Sequence, residues 1–233
     1  MGYDYSLSAS KLNILNDCRR CFWLHMTQKI ERPRGIFPSL PGGMDRVMKH
    51  YLDRYRGSMP PELQGSIPGV LWGTVAEIGK LRQWQSGMKP VVQTPHGSVS
   101  LIGALDDLAV HTDLYSPVDG KTKGSAVKDG DTEKYYRTQG DTYHLMLRET
   151  GKKPSGKAYF FYLWPEGISG AAEATLPVAF NFKTITVETD ADRVMALICK
   201  ATELLSTSDA KGPAAPMTCE YCNHHLKLQA VGL

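Results

Sequence analysis

Two aspartates and one lysine stand near the middle of the chain, within segments whose patterns predict β-strands. Asp106 ends one such segment, and Asp119 and Lys121 lie in the next, SPVDGKTKG. Because side chains alternate between the two faces of a strand, Asp119 and Lys121 share one face if this segment is extended. A meander would bring Asp106 beside Asp119, with Asp107 on the opposite face unless a bulge exchanges the two.

Two carboxylates around a small space suit Mg²⁺ or Mn²⁺, which prefer oxygen ligands and retain several waters. A neighbouring lysine can orient or help deprotonate a metal-bound water, or neutralise charge that develops on a phosphate. Together these groups suit metal-assisted hydrolysis of a phosphodiester. The alternative is structural, because Asp119-Gly120 is also a strong hairpin-turn signal that would leave Lys121 on the surface.

Four of the five cysteines form two C-x-x-C pairs at opposite ends of the chain: Cys18 with Cys21, and Cys219 with Cys222. In a chain without a secretion signal, this spacing predicts metal binding rather than disulfides. Structural zinc and a [4Fe–4S] cluster both accept four thiolates, and the spacing alone favours zinc. His224 and His225 could compete as ligands, whereas Cys199 is expected to be a buried apolar residue.

The elements that must position these residues alternate between strand and helix patterns. Strands are expected over PVVQT, GSVSLIGALDDLAVH, LYSPVDGKT, KAYFFYLWP and ATLPVAFNFKTITVET. Helices are expected near the N-terminus, from Met44 to Arg56, within TVAEIGKLRQWQSG, over TEKYYRTQGDTYHLMLRETG and after Asp190. ERPRGIFPSLPGG and the segment before the last cysteines are expected to be loops. This order predicts an α/β fold with a mixed central β-sheet flanked by helices and an N-terminal helical elaboration.

Three consecutive motifs resemble the PD-(D/E)XK nuclease superfamily, in particular its RecB-like and CRISPR-adaptation exonuclease branch. The family pattern is a G-x-x-D strand, a D/E-x-K strand and a helix with Q-x-x-x-Y, matched here by Gly103 and Asp106, Asp119 and Lys121, and Gln139 and Tyr143. The resemblance implies that Asp106 and Asp119 are metal ligands and that Lys121 is the catalytic lysine. It also implies that Gln139 and Tyr143, which share a helical face, help hold the active site or the DNA backbone.

The chain departs from this branch at the early helix, where the branch usually has a histidine ligand in a G-x-x-x-H setting. In GGMDRVMKHYLD that spacing falls on Arg46 or Val47. Asp45 or His50 from the same helix could substitute for the histidine. Asp45, which shares a face with Lys49, is favoured because a carboxylate suits a hard cation.

The resemblance also bears on the cysteines, because relatives in this branch carry an iron–sulfur cluster built from N-terminal and C-terminal cysteines. Their usual division is one N-terminal and three C-terminal, whereas this chain has two and two. The resemblance implies a [4Fe–4S] cluster with a structural and DNA-positioning role, and the different division keeps structural Zn²⁺ as the alternative. The opening segment SASKLNILNDCRRCFWLHM is similar to the first helix of the same branch.

We expect the 233 residues to form a single nuclease-like domain with three parts. A helical N-terminal part covers residues 1–60, a catalytic core covers 90–190, and a C-terminal segment, 210–233, completes the cysteine site with the N-terminus. The chain lacks both a signal-peptide pattern and the roughly 20-residue apolar run that spans a bilayer, so we expect a cytoplasmic protein without a membrane partner.

The expected partner is DNA, single-stranded or with duplex ends, and the expected enzyme is a Mg²⁺- or Mn²⁺-dependent deoxyribonuclease. The net charge of +3 is mildly basic. Candidate phosphate contacts are Arg19, Arg20, Lys123, Lys128 and Arg137. Tyr135, Tyr136 and Trp23 could stack on unpaired bases. The second hypothesis is a non-catalytic nucleic-acid-binding or assembly module with a structural zinc site.

Overall fold

The computed structural model describes residues 4–33, 35, 39–168, 170, 177–207 and 212–230. These residues form seven α-helices: α1 (Ala9–Asp17), α2 (Arg19–Trp23), α3 (Ser39–Asp53), α4 (Ile78–Ser86), α5 (Asp131–Glu149), α6 (Ala191–Thr207) and α7 (Glu220–Ala230). They also form nine strands: β1 (Tyr5–Leu7), β2 (Val70–Leu71), β3 (Val91–Thr94), β4 (Gly97–Leu101), β5 (Asp107–His111), β6 (Leu114–Thr122), β7 (Lys153–Pro154), β8 (Lys157–Ile168) and β9 (Val178–Glu188). In this part of the chain, none of the helices is long and apolar enough to cross a membrane.

The chain divides into two compact units. The first unit combines the described residues of 1–37, 89–102 and 192–233, and the second combines 38–88 and 103–191. The first unit holds both cysteine pairs, and the second holds the aspartates, the lysine and the Q-x-x-x-Y helix. The expected three-part organisation of one nuclease-like domain stays a prediction.

The second unit contains a six-stranded sheet in the order β2-β5-β6-β8-β9, with β7 pairing beside β6. Its neighbouring strands are antiparallel, except that β6 is parallel to both β7 and β8. Parallel neighbours require a crossover connection, which α5 supplies between β6 and β8. The prediction of a mixed central sheet flanked by helices is confirmed.

Alternate residues of β6 pack against helices on opposite faces of this sheet. Val118 belongs to an apolar cluster with Met48 of α3. On the other face, Phe160 of β8 stacks on Tyr136 of α5 with 5.4 Å between the ring centroids. Asp119 is the register partner of Phe160, so its side chain lies on the α5 face.

The sheet has a step next to Asp119. β5 begins at Asp107, which pairs with Val118, whereas β6 continues to Thr122. Residues 119–122 of β6 therefore pair with β8 on one side and extend past the start of β5 on the other. Asp106 lies in the bend directly before β5, which places it at this step.

Helix α3 begins and ends earlier than its sequence pattern predicts, at Ser39 and Asp53 rather than at Met44 and Arg56. The last five residues of the expected loop ERPRGIFPSLPGG are helical, and its residues 34 and 36–38 lie outside the described part of the chain. Pro41 is only the third residue of the helix. The first-turn N–H groups of a helix have no intrahelical acceptor, so proline is tolerated there.

Two further expectations concern the end of α5 and the start of β9. Helix α5 ends at Glu149, and Gly151 has a φ of 78°, which confirms it as the glycine that follows the helix. Strand β9 begins at Val178, and residues 174–176 of the expected ATLPVAFNFKTITVET strand lie outside the described residues.

The first unit brings the two ends of the chain together. Its sheet has the order β1-β4-β3, in which β1 runs parallel and β3 antiparallel to β4. Helix α2 begins directly after Cys18, and α7 begins directly after Cys219. The sequence did not predict α7, because EYCNHHLKLQ shows no clear apolar period.

A buried ion pair ties the segment after α3 to the start of β5. Arg56 Nη1 and Nη2 donate to Asp107 Oδ1 and Oδ2 at 2.6 and 2.7 Å. The Asp107 side chain is 0% exposed and that of Arg56 is 9% exposed. Arg56 also donates to the Trp72 carbonyl and to Asp53. Asp107 is therefore a structural residue on the face opposite Asp119, as the strand alternation predicts.

Arg56→Met should destabilise the protein by about 3–5 kcal/mol, because it leaves the Asp107 charge buried without its partner. Arg82→Met is the matched control: Arg82 pairs with Asp53, but its side chain is 45% exposed, so we expect a loss of about 1 kcal/mol or less. Urea unfolding of both variants measures the difference. Equal losses would contradict a special role for the buried pair.

Candidate functional site

The three motifs of the second unit meet in one hydrogen-bonded network. Gln139 Nε2 donates to Asp119 Oδ1 at 3.0 Å and lies 2.7 Å from Tyr143 Oη, while Gln139 Oε1 accepts from Lys121 Nζ at 3.3 Å. Lys121 also forms an ion pair with Asp119 Oδ2. The Tyr143 hydroxyl donates to the Ala104 carbonyl at 2.7 Å, which anchors the network to the segment before Asp106.

Asp45 and Asp106 meet at a second lysine, Lys49, which the sequence analysis did not assign to the site. Lys49 Nζ lies 2.9 Å from Asp45 Oδ2 and 3.1 Å from Asp106 Oδ1, so it bridges the two carboxylates. The spacing of Asp45 and Lys49 on one helical face was the sequence signal for this contact. His50 is exposed on α3.

Two glycines allow helices to approach this network closely. A Cβ atom on Gly120, between Asp119 and Lys121, would lie 1.9 Å from Cε of Met48 in α3. A Cβ atom on Gly103 would lie 2.9 Å from Sδ of Met146 in α5. The absence of a side chain at both positions therefore lets α3 and α5 pack tightly beside the carboxylates.

The Asp119 carboxylate is buried, with the residue 2% exposed. Burial raises the pKa of the Asp119 carboxyl from 3.8 to about 6; the Lys121 ammonium opposes this rise and the Asp106 charge adds to it. Asp119 Oδ2 is buried and accepts no hydrogen bond of good geometry, although Lys121 pairs with it electrostatically.

The donor set fits a divalent cation bound through two carboxylates. Mg²⁺ is usually held by one or two protein carboxylates and keeps several waters. Asp106 and Asp119 supply such a pair. Within the described residues, the four cysteines are the one group of three or more His, Cys, Asp or Glu side chains arranged to hold a metal ion, so Asp45 does not complete a second one.

The candidate nucleic-acid residues are distributed over both units. Lys123 pairs with Asp131 at 3.1 Å, and Arg137 is exposed on α5. Arg19 and Arg20 lie on α2 of the first unit, where Arg20 donates to the Pro213 carbonyl at 3.0 Å.

The aromatic candidates differ in their exposure. Tyr135 is 53% exposed, and Tyr136 is half-buried against Phe160. Trp23 is only 5% exposed, so the expectation that it stacks on bases is corrected: its ring is part of the core.

The four paired cysteines form one buried cluster in the first unit. The Sγ separations are 3.7 Å for Cys18–Cys222, 3.6 Å for Cys21–Cys219 and 3.7 Å for Cys21–Cys222. All four sulfur atoms lie within 4.8 Å of one another, and the five cysteines of the chain form no disulfide. Cys199 is half-buried on α6, outside the cluster. The four thiols can bind a metal centre.

The surroundings of the cluster shift the pKa values of its thiols in opposite directions. Arg32 lies beside Cys21, pairs with Asp17 at 3.1 Å and stacks on the Tyr221 ring, 4.8 Å from its centroid. Burial opposes ionisation of Cys219, but the Cys222 backbone N–H and the neighbouring thiols lower the pKa of Cys219 to about 7. Burial raises the pKa of the Cys21 and Cys222 thiols. A metal ion requires deprotonated thiols, a state that the surroundings favour at Cys219 and oppose at Cys21 and Cys222. His224 is exposed, and the side chain of His225 lies outside the described part.

Known proteins offer little for comparison. No protein-family model and no curated protein matches the chain. Among solved structures, the chain is similar to the crystal structure of SSO0001, with 11% identity over 90% of this chain and 81% of that chain and a TM-score of 0.36. At that TM-score the similarity carries no argument, so functional inference rests on the side chains themselves.

Cys18→Ser and Cys222→Ser should each lose most of the metal bound at the four-cysteine cluster and unfold at lower temperature, because metal binding at such sites is coupled to folding. Cys199→Ser is the control and should keep the metal content of the wild type. Elemental analysis per chain and thermal unfolding measure both effects. Full metal retention in Cys222→Ser would contradict a shared four-cysteine site.

Asp119→Asn should change how the stability of the metal-free protein depends on pH. The pKa of Asp119 is higher in the folded than in the unfolded state. At a pH between the two pKa values, folding is therefore accompanied by proton uptake. The contribution of Asp119 to the free energy of unfolding consequently falls as pH rises. Relative to Asp119→Asn, the wild type should lose about 2 kcal/mol of stability between about pH 4 and pH 6, and about 3 kcal/mol over the whole titration. Urea unfolding in a chelator measures the difference, and a wild type that gains stability over this range would contradict the buried-carboxylate account.

Proposed function

We propose that this protein is a Mg²⁺- or Mn²⁺-dependent DNA nuclease of the PD-(D/E)XK type. The observation that supports this most strongly is the network of Asp119, Lys121, Gln139 and Tyr143, which joins the strand and helix residues that the resemblance names. Asp106 lies at the adjacent step of the sheet. A hairpin turn at Asp119-Gly120 is not compatible with this arrangement, since both residues lie inside β6.

The proposed site assigns a separate task to each side chain. Asp106 and Asp119 would hold the divalent cation, which when bound supplies a Lewis acid and an acidic water. Gln139 fixes the orientation of Asp119 through its 3.0 Å hydrogen bond, and Tyr143 fixes Gln139 in turn. Lys121 presents an ammonium group that can stabilise negative charge on a phosphate and orient the attacking water.

The proposed substrate is DNA, single-stranded or with duplex ends, recognised through its backbone. Lys123 directly follows the strand that carries Lys121, and Arg137 lies two residues before Gln139 in α5. Both side chains are proposed to contact phosphates. The exposed Tyr135 adds a ring on which an unpaired base could stack. Arg19 and Arg20 are proposed as further phosphate contacts beside the cysteine cluster.

The four-cysteine cluster is proposed to hold a structural metal centre. With metal–sulfur bonds of about 2.3 Å, four thiolates around a single tetrahedral ion stand about 3.8 Å apart. The observed 3.6–3.7 Å separations therefore support one ion such as Zn²⁺. The family resemblance favours a [4Fe–4S] cluster, in which each thiolate binds a different iron and the sulfur atoms stand farther apart. Visible absorption and elemental analysis after anaerobic purification distinguish the two.

A second candidate function is a non-catalytic nucleic-acid-binding or assembly module with a structural zinc site. The observation that favours it is that each carboxylate already pairs with a lysine: Asp45 and Asp106 with Lys49, and Asp119 with Lys121. Under this alternative the carboxylates are structural, and the protein binds DNA without cleaving it.

Lys121→Ala should reduce DNA cleavage in Mg²⁺ or Mn²⁺ by about 100-fold or more, because it removes the charge that stabilises the transition state. DNA affinity, measured by fluorescence anisotropy without a divalent cation, should change little. Lys153→Ala removes an exposed lysine with a surface ion pair and should cleave at the wild-type rate.

Thermal unfolding of Lys121→Ala provides the folding control for this comparison. A wild-type protein that binds DNA but does not cleave it under any of these conditions would support the second candidate and contradict the nuclease proposal. Unchanged cleavage by a folded Lys121→Ala would remove the assigned role of Lys121.

A further inference from the structure

Lys49 occupies an unusual position for a lysine beside a candidate metal site. Its ammonium contacts two carboxylates at once, Asp45 on its own helix and Asp106 at the step of the sheet, at 2.9 and 3.1 Å. An ammonium donates three hydrogen bonds and has no lone pair, so Lys49 cannot serve as a metal ligand. It can only act as a cation itself.

We propose that the Lys49 ammonium is the second cation of this site: it takes the position between Asp45 and Asp106 that a second divalent ion would otherwise fill, so the site binds one divalent ion rather than two. The proposal rests on the nuclease function proposed above. It assigns Asp45 a different role from the one expected from the sequence, since Asp45 holds Lys49 rather than the metal.

The charges around the site support a single divalent ion. Three carboxylates, those of Asp45, Asp106 and Asp119, face the two ammonium groups of Lys49 and Lys121. The site therefore carries a net charge of −1, which one divalent ion already overcompensates. Without Lys49 the charge would be −2, and the Asp45–Asp106 pair would be free to bind a cation.

The packing of α3 holds Lys49 in this place. Met48, the preceding residue, is 7% exposed and packs at the position where Gly120 has no side chain, so α3 lies close to β6. The Lys49 side chain is 29% exposed, and its contact with Asp45 is between residues one helical turn apart. The bridge to Asp106 thus depends on a tertiary contact, whereas the bridge to Asp45 is local.

The test measures Mn²⁺ binding to the full-length chain, without DNA, by electron paramagnetic resonance titration. The wild type, Lys49→Met, Lys49→Gln and Lys49→Arg are compared, with Lys153→Met as an exposed-lysine control and Asp119→Asn to define binding outside the site. Circular dichroism verifies that each variant is folded. Two neutral replacements of Lys49 are compared, so the test still works if one of them does not fold.

We expect one Mn²⁺ per chain in the wild type, Lys49→Arg and Lys153→Met, and two in Lys49→Met and Lys49→Gln. Adding Asp45→Asn to Lys49→Met should remove the second ion. One ion in every variant, whether at unchanged or at higher affinity, would overturn the role of Lys49 as a second cation, and so would two ions in the wild type.

These outcomes are distinct from failure of the nuclease proposal. Mn²⁺ bound at the site is the part of the binding that Asp119→Asn abolishes. If neither the wild type nor Lys49→Met shows such binding, the divalent-cation site is absent and both proposals fail. If one ion binds in all variants and DNA is cleaved, the nuclease proposal stands and only the role of Lys49 is overturned.

Discussion

The second unit is organised around the need to hold the Asp119 carboxylate inside a β-sheet. A charge with 2% exposure is costly unless hydrogen bonds and opposite charges surround it. Gln139 and Lys121 supply these, and each depends on another element for its position. The position of Gln139 depends on α5, which connects the parallel strands β6 and β8. The position of Lys121 depends on the part of β6 that extends past the start of β5. The close approach of both flanking helices depends on two positions without a side chain, Gly103 and Gly120.

The first unit depends on a different constraint, the closure of a very long chain segment. Cys18 and Cys222 are 204 residues apart in the sequence, yet their sulfur atoms are 3.7 Å apart. A metal centre that closes so long a loop can contribute substantial stability, since loop-closure entropy grows with loop length. A metal ion bound there would also offset the repulsion among four buried thiolates. The carboxylate network lies in one compact unit and the cysteine cluster in the other.

Local patterns predicted the elements whose residues repeat regularly. Strand alternation placed Asp119 and Lys121 together and Asp107 on the other face, and the four-residue spacing placed Gln139 and Tyr143 on one face of α5.

The sequence did not predict the start of α3. Pro41 and the two glycines that follow indicate a loop unless it is known that they lie at the beginning of a helix. It also did not predict α7, whose polar residues show no apolar period. The partner of Asp107 was not predictable either, because Arg56 is 51 residues away and the contact depends on how α3 leads into β2. For the same reason the sequence suggested the Asp45–Lys49 contact but not the bridge to Asp106.

The most direct test of the central account is a crystal structure of the wild type grown in Mn²⁺, with the ion located by its anomalous scattering. The account predicts a Mn²⁺ site bound by the carboxylates of Asp106 and Asp119, with Gln139 still hydrogen-bonded to Asp119 and the Lys121 ammonium beside the ion. An Asp119–Lys121 ion pair that remains closed, with no manganese at the step of the sheet, would contradict it.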